Sequence, residues 1–478
     1  MMGMSPLPKV LMVASEATPM AKTGGLADVA GALAAALGAL GHEAAILMPR
    51  YRGVPLENAR RVYDDLRVWF GPDCYTCTLY LAVERGVPYY LADCPALYDR
   101  EGLYGDATGD YPDNHIRFAV LSRVALTAVR HVFRPHVIHC HDWQTALVPI
   151  YIHTRFAGDP TFMGLRTVLT LHNLGYQGLF PPEILPQIGL DDDLLRPDAL
   201  EFHGRVNLLK GGIRFSDALT TVSPTYAREI QTPELGFGLD ELLRGRGDAL
   251  TGILNGADYS DWNPETDPFI AARYSAADLS GKAACKLDLL AEFGLPPEAL
   301  HKPLLGIVSR FDSQKGFDLI EEIAPALAEE DCLLVVLGTG YAEHEQLLRE
   351  LAAAHPEKIA VRVAYDNPLA HRIEAGADIF LMPSRYEPCG LNQIYSLRYG
   401  TVPVVRATGG LDDTIDESTG FKFREYAGPA LFEAIRQALA AFRDRDRWEA
   451  MMLAGMRKDF SWNASAAAYS ALYQRLAR

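Results

Sequence analysis

Cysteine is scarce in this chain. There are seven in 478 residues, an odd number without regular spacing, which excludes a fold stapled by disulfides. Cys74-Tyr-Thr-Cys77 stands alone, with no second CxxC or Cys/His pair at zinc spacing, so a metal set is incomplete there. Positive charge is also short: 45 Lys and Arg face 61 Asp and Glu, a net charge of −16. A surface of that sign repels a phosphate backbone, which disfavours general nucleic-acid binding. No apolar run reaches the ~18 residues that a membrane-spanning helix requires. The opening MMGMSPLPKV has none of the parts of a secretory leader. The expected setting is therefore a reducing cytoplasm, with no membrane and no nucleic acid as partner.

What is present points to an α/β protein. The chain is 49% hydrophobic and 22% charged, ordinary for globular domains, and its length suits two or three of them. Short β-branched runs alternate with helical patterns. The runs are Val10–Ser15, Ala44–Pro49, Pro88–Ala92, Val137–Cys140, Thr167–Leu171 and Leu219–Val222, then Leu304–Ser309, Cys332–Leu337, Ile359–Ala364, Ile379–Met382 and Val402–Val405. Continuous apolar runs suit strands buried on both faces of a parallel sheet. Two such series predict two doubly wound domains. The turn-rich stretch from Leu254 to Pro264 reads as their connector. The predicted ranges are 1–255, 256–458 and a terminal helical segment, 459–478.

Several strand ends carry chemistry. Lys22-Thr-Gly24-Gly25 precedes a helix, where backbone amides and the helix dipole favour an anion; the alternative is a glycine turn with a solvated lysine. Arg310 and Lys315 share one loop at the end of LLGIVS, suited to clamping a diphosphate by a planar fork and a point charge, or simply solvated. Glu387, in Ser384-Arg-Tyr-Glu-Pro-Cys-Gly390-Leu391, can accept sugar hydroxyls or stabilise positive charge at an anomeric carbon. It can equally be a charge at a helix start. His139-Cys-His141-Asp142 and His172-Asn173 end two strands; hydrogen bonding to a polar substrate is favoured over metal, since no third ligand is well spaced. Neither domain opens on Gly-x-Gly-x-x-Gly with an acidic residue ~20 positions later, which argues against a dinucleotide-dependent oxidoreductase.

Together the segments KTGGLADV, HCHDWQ, TLHNLGYQG, LKGGI, TVSPTYAREI, GILNGAD…WNP, SRFDSQKG, EPCGL and TGGLDDT resemble the glycogen/starch synthase family, in order, over nearly the whole chain. The resemblance implies the GT-B glycosyltransferase fold, two Rossmann-like doubly wound domains facing across a deep cleft, with the last helix crossing back to the first domain. It implies retaining transfer of glucose from ADP-glucose to the non-reducing end of an α-1,4-glucan. A UDP-glucose donor or another acceptor stays open. No cofactor and no metal are expected. By the same resemblance Arg310 and Lys315 hold the donor diphosphate, with Lys22, Gly24 and Gly25 beside it. His172 and Glu387 bind the donor glucose, helped by amides of Gly390 and Leu391. Asp28, Asp142, Asn173 and Asn255 orient sugar or acceptor, and Tyr365 flanks adenine. Many retaining relatives carry two glutamates eight apart; here that second position is Tyr395. This undercuts any scheme with a second carboxylate.

Overall fold

The computed structural model describes residues 6–106 and 108–478. The chain folds as two compact units. One comprises the described residues up to 222, 227–256 and 462–478; the other comprises 223–226 and 257–461.

The first unit is built on a nine-stranded sheet. Across it lie Leu250–Gly252, Ala218–Thr221, Arg166–Leu171, Val137–His141, Val10–Val13, Ala44–Pro49, Val87–Asp93, Asp73–Glu84 and Arg60–Phe70. The first seven are parallel; Asp73–Glu84 pairs antiparallel with Val87–Asp93, and Arg60–Phe70 pairs antiparallel with Asp73–Glu84. Val10–Val13 and Ala44–Pro49 are buried throughout, which their unbroken apolar sequence dictates. The chain leaves Val10–Val13 towards one neighbour and returns on its other side at Val137–His141. That reversal opens a crevice beyond the strands' carboxyl ends, where Ser15 to Gly25 and His141-Asp142 meet. The helix Trp462–Leu476 docks on this unit. Tyr473 Oη lies 2.7 Å from His139 Nδ1, and Ser465 Oγ donates to the Leu254 carbonyl at 2.5 Å.

The antiparallel hairpin Arg60–Phe70/Asp73–Glu84 is absent from the expected strands. Its sequence alternates instead of running apolar: Leu66, Val68 and Phe70 are buried, while Arg67 and Trp69 are exposed. A sheet margin with one wet face has that pattern.

The second unit holds a six-stranded parallel sheet in the order Ile359–Val363, Leu333–Gly338, Leu304–Val308, Ile379–Met382, Val402–Arg406, Phe421–Phe423. Helices Phe317–Glu329 and Gly428–Arg443 cover it through Ile320, Ile323, Leu431 and Ile435. The order reverses at Leu304–Val308, so its end and that of Ile379–Met382 form the second crevice. All eleven apolar runs read from sequence are strands. Among the described residues, no helix is long and apolar enough to cross a membrane.

Candidate functional site

In the second unit, the two strand ends border a cavity of about 190 Å³ lined by Ser309, Arg310, Lys315, Ser384, Glu387 and Asn392, among others. Lys315 Nζ stands 2.7 Å from Glu387 Oε2, with the side chains only 18% and 8% exposed. Ser384 Oγ donates to the same oxygen at 2.9 Å. A buried carboxylate needs such partners, because desolvation would otherwise neutralise it. The backbone sets this pair in place. Gly316 sits at φ +78, and a Cβ there would lie 2.1 Å from the Pro383 carbonyl oxygen. Only glycine lets the Lys315 turn press against the strand end that leads to Glu387. On the other side Gly409 and Gly410 close on the Glu387–Cys389 segment, with the Gly410 amide donating to the Glu387 carbonyl at 3.1 Å.

Arg310 is 65% exposed on the side chain and pairs with Asp312 at 3.4 Å. Gly390, at φ +70, and Leu391 line the cavity. The helix after them, Asn392–Arg398, is tied to the neighbouring strand by Asn392 Nδ2 on the Val308 carbonyl at 2.8 Å. Tyr365 does not line this cavity and is 85% exposed.

In the first unit, Gly24 caps the helix Gly25–Ala39 with no side-chain hydrogen bond. A Cβ at Gly25 would meet nothing within 4 Å, so the absent side chain leaves open approach to the first-turn amides. Buried Glu16 holds the loop from beneath: its Oε2 accepts from Thr23 N–H at 2.5 Å and Thr23 Oγ at 2.9 Å. Burial raises the Glu16 carboxyl above its ordinary range, and the Thr23 bonds partly offset this. Lys22 Nζ pairs with Asp28 Oδ2 at 2.8 Å, so within this unit the cation and the carboxylate face each other.

Asp142 adopts φ +54 and is buried. Its Oδ1 accepts the His172 amide at 2.7 Å. Burial pushes Asp142 up to about 7, against the lowering effect of the His172 and Asn173 amides. His172 Nε2 lies 3.0 Å from His141 Nδ1, and the two rings stack with centroids 5.2 Å apart. His139 continues the column, 4.3 Å from the His141 ring. Burial drives His139 and His172 down to about 3 and His141 well below its ordinary value, so at neutral pH these rings are uncharged. Asn173 Oδ1 accepts the Gly175 amide at 3.0 Å. Asn255 is buried, and its Oδ1 has no hydrogen-bond partner among the described residues. Among those residues, no group of three or more His, Cys, Asp or Glu is placed to hold a metal ion; His141 and His172 turn ring nitrogens on each other.

Sequence reading did not single out Glu16, Ser384 or the contact of His141 with His172. The signals were weak: an acidic residue just past an apolar strand, a serine three before Glu387, and histidines at the ends of two separate strands.

The comparisons with known proteins agree with this layout. The family model described as "Starch synthase catalytic domain" matches residues 9–245, and "Glycosyl transferases group 1" matches 296–451. A glycogen synthase of Koribacter versatilis is 52% identical over 474 residues, covering 98% of each chain. One from Anaeromyxobacter sp. (strain Fw109-5) is 51% identical over 478 residues, covering 98% of this chain and 99% of that one. The catalytic domain of starch synthase IV from Arabidopsis thaliana, bound to ADP and acarbose, superposes with a TM-score of 0.89 at 34% identity. It covers 99% of this chain and 100% of that one. With both family models matched and similarity over the full length, the chain belongs to the glycogen/starch synthase family of GT-B glycosyltransferases.

Proposed function

We propose that this enzyme transfers glucose from ADP-glucose to the non-reducing end of an α-1,4-glucan with retention at the anomeric carbon, releasing ADP. The observation that carries the reading is the enclosed Lys315–Glu387 pair beside Arg310 at the second unit's strand ends. It joins fixed positive charge, suited to a diphosphate, to a carboxylate suited to a sugar. The Arabidopsis relative, solved with ADP and acarbose, supports an adenine nucleotide as donor.

In this reading Arg310 and Lys315 neutralise the charge that builds on the leaving diphosphate. Lys22 and the Gly24-Gly25 amides add to that stabilisation. Glu387 holds the glucose hydroxyls, with the Gly390 and Leu391 amides assisting. His172 bonds the same sugar, Asp28, Asp142, Asn173 and Asn255 orient sugar or acceptor, and Tyr365 flanks adenine. The bond from C1 to the β-phosphate oxygen breaks while the bond from C1 to the acceptor oxygen forms on the same face. The acceptor's hydroxyl proton passes to the leaving phosphate. No second carboxylate is used, since Tyr395 stands where a second glutamate would be. A reducing cytoplasm is the proposed compartment, supported by seven free thiols, six of them buried.

The test is incorporation of glucose into glycogen from ADP-glucose and UDP-glucose in parallel, without added metal. Strong transfer from ADP-glucose alone is expected. Preference for UDP-glucose overturns the donor, and transfer from neither by the folded protein overturns the activity.

A further inference from the structure

His141 is a buried ring that the chemistry above does not use. Its backbone is clamped: Thr145 Oγ accepts the His141 amide at 2.7 Å and donates to the His141 carbonyl at 2.9 Å. Its ring is held between His139, at 4.3 Å, and His172, at 5.2 Å between centroids. His139 is itself pinned, by Tyr473 Oη at 2.7 Å on Nδ1 and Thr170 Oγ1 at 2.6 Å on Nε2. With position and tilt fixed, the freedom left to His141 is where its proton sits.

Burial keeps both His141 and His172 neutral, so each ring carries one N–H and one bare nitrogen. A single proton lies between His141 Nδ1 and His172 Nε2, 3.0 Å apart. If His172 donates it, the proton of His141 must sit on Nε2, which is buried and has no hydrogen-bond partner. That leaves an orphaned N–H, a rare feature in folded proteins. If His141 donates it, Nε2 carries only a lone pair and no donor is orphaned.

We infer that His141 is a positioning residue: its Nδ1–H, donated to His172 Nε2, fixes His172 as the Nδ1–H tautomer, so that His172 presents a hydrogen-bond donor to a hydroxyl oxygen of the donor glucose. The tautomer follows from the ring contact, the unpartnered Nε2 and the burial that keeps both rings neutral; its use on glucose rests on the proposed activity. The orientation of a second ring by a first is the logic by which partner groups fix catalytic histidines elsewhere.

Two measurements test this. The first is the ¹⁵N imidazole spectrum of the wild-type protein with labelled histidine, the His172 signals assigned by their loss in His172→Gln. The expected spectrum shows His172 protonated on Nδ1 and bare on Nε2; protonation on Nε2 overturns the inference. The second compares His141→Asn, which keeps a donor near the Nδ1 position but removes the ring, with His141→Phe, which keeps the stacked ring but removes the donor. His141→Phe is expected to lose at least ~10-fold in kcat while His141→Asn stays within ~3-fold of wild type, the scale of a misplaced sugar-binding group. Activity in His141→Phe equal to or above that of His141→Asn makes the ring mere packing and overturns the inference. A wild-type protein that shows the Nδ1–H tautomer but transfers no glucose places the failure in the proposed activity instead.

Discussion

Replacing Gly316 by alanine tests how the Lys315–Glu387 pair is held. The new Cβ meets the Pro383 carbonyl oxygen at 2.1 Å and its carbon at 2.8 Å, at φ +78. Relief requires the Lys315 turn and the Pro383 strand end to separate by about 1 Å, since non-bonded carbon contacts settle near ~3.5 Å. The left-handed backbone costs ~1–2 kcal/mol for an L-residue, and overpacking adds ~1–3 kcal/mol. For a unit of this size the sum, ~2–5 kcal/mol, lowers the melting midpoint by roughly 4–20 °C. Lys315 moves with the turn, and a displacement of ~1 Å at reacting groups costs on the order of 100-fold in rate. Gly294→Ala separates the two effects: Gly294 is also left-handed, at φ +67, but its Cβ would meet nothing within 4 Å. The assays are calorimetry and glucose transfer on both variants. Gly294→Ala should lose only the ~1–2 kcal/mol of the left-handed backbone, with normal turnover. Equal midpoints and equal rates for the two variants would refute the claim that close packing at Gly316 sets the pair.

Glu387→Ala removes the carboxylate proposed to bind the sugar and strands Lys315; turnover should fall ~100-fold or more, and near-normal turnover would count against the role given to Glu387. Arg310→Lys keeps the charge but loses the planar fork, so the KM for the donor should rise about tenfold with kcat less affected; an unchanged KM contradicts diphosphate binding there. Asp142 takes up its proton at about 7 in the folded protein against an ordinary 3.8, so the folded state binds the extra proton between those values. Its contribution to stability is therefore full below the ordinary value, declines as pH rises towards 7, and is flat above. Asp142→Asn removes that dependence and should gain melting temperature over wild type through this window, while losing turnover. A midpoint difference that does not change from pH 4 to pH 8 sinks the burial argument.

Much of the architecture was legible because a strand buried on both faces must be apolar at every position. Val10–Val13, Ala44–Pro49 and Leu333–Gly338 satisfy that rule. The hairpin beginning at Arg60 was not legible by it, since a half-wet margin alternates. The three-residue margin strands Leu250–Gly252 and Phe421–Phe423 are too short to show a period. At the site, sequence spacing brought Arg310 and Lys315 onto one loop, but only the fold brings Lys315 to Glu387, 72 residues on. Likewise the pairing of Lys22 with Asp28 and of His141 with His172 depends on loop geometry that no period encodes. Glu16 was hidden because a buried carboxylate satisfied by a neighbouring loop looks, in sequence, like any acidic residue at a strand end.

The central claim is transfer with retention from ADP-glucose. Its most direct test is to follow the anomeric proton of the newly formed linkage by NMR while quantifying ADP, using a short maltooligosaccharide as acceptor. The account predicts one ADP per new α-1,4 linkage, seen as an α-anomeric signal from the earliest turnovers. A β-linkage, or ADP release with free glucose in place of a longer glucan, would contradict it.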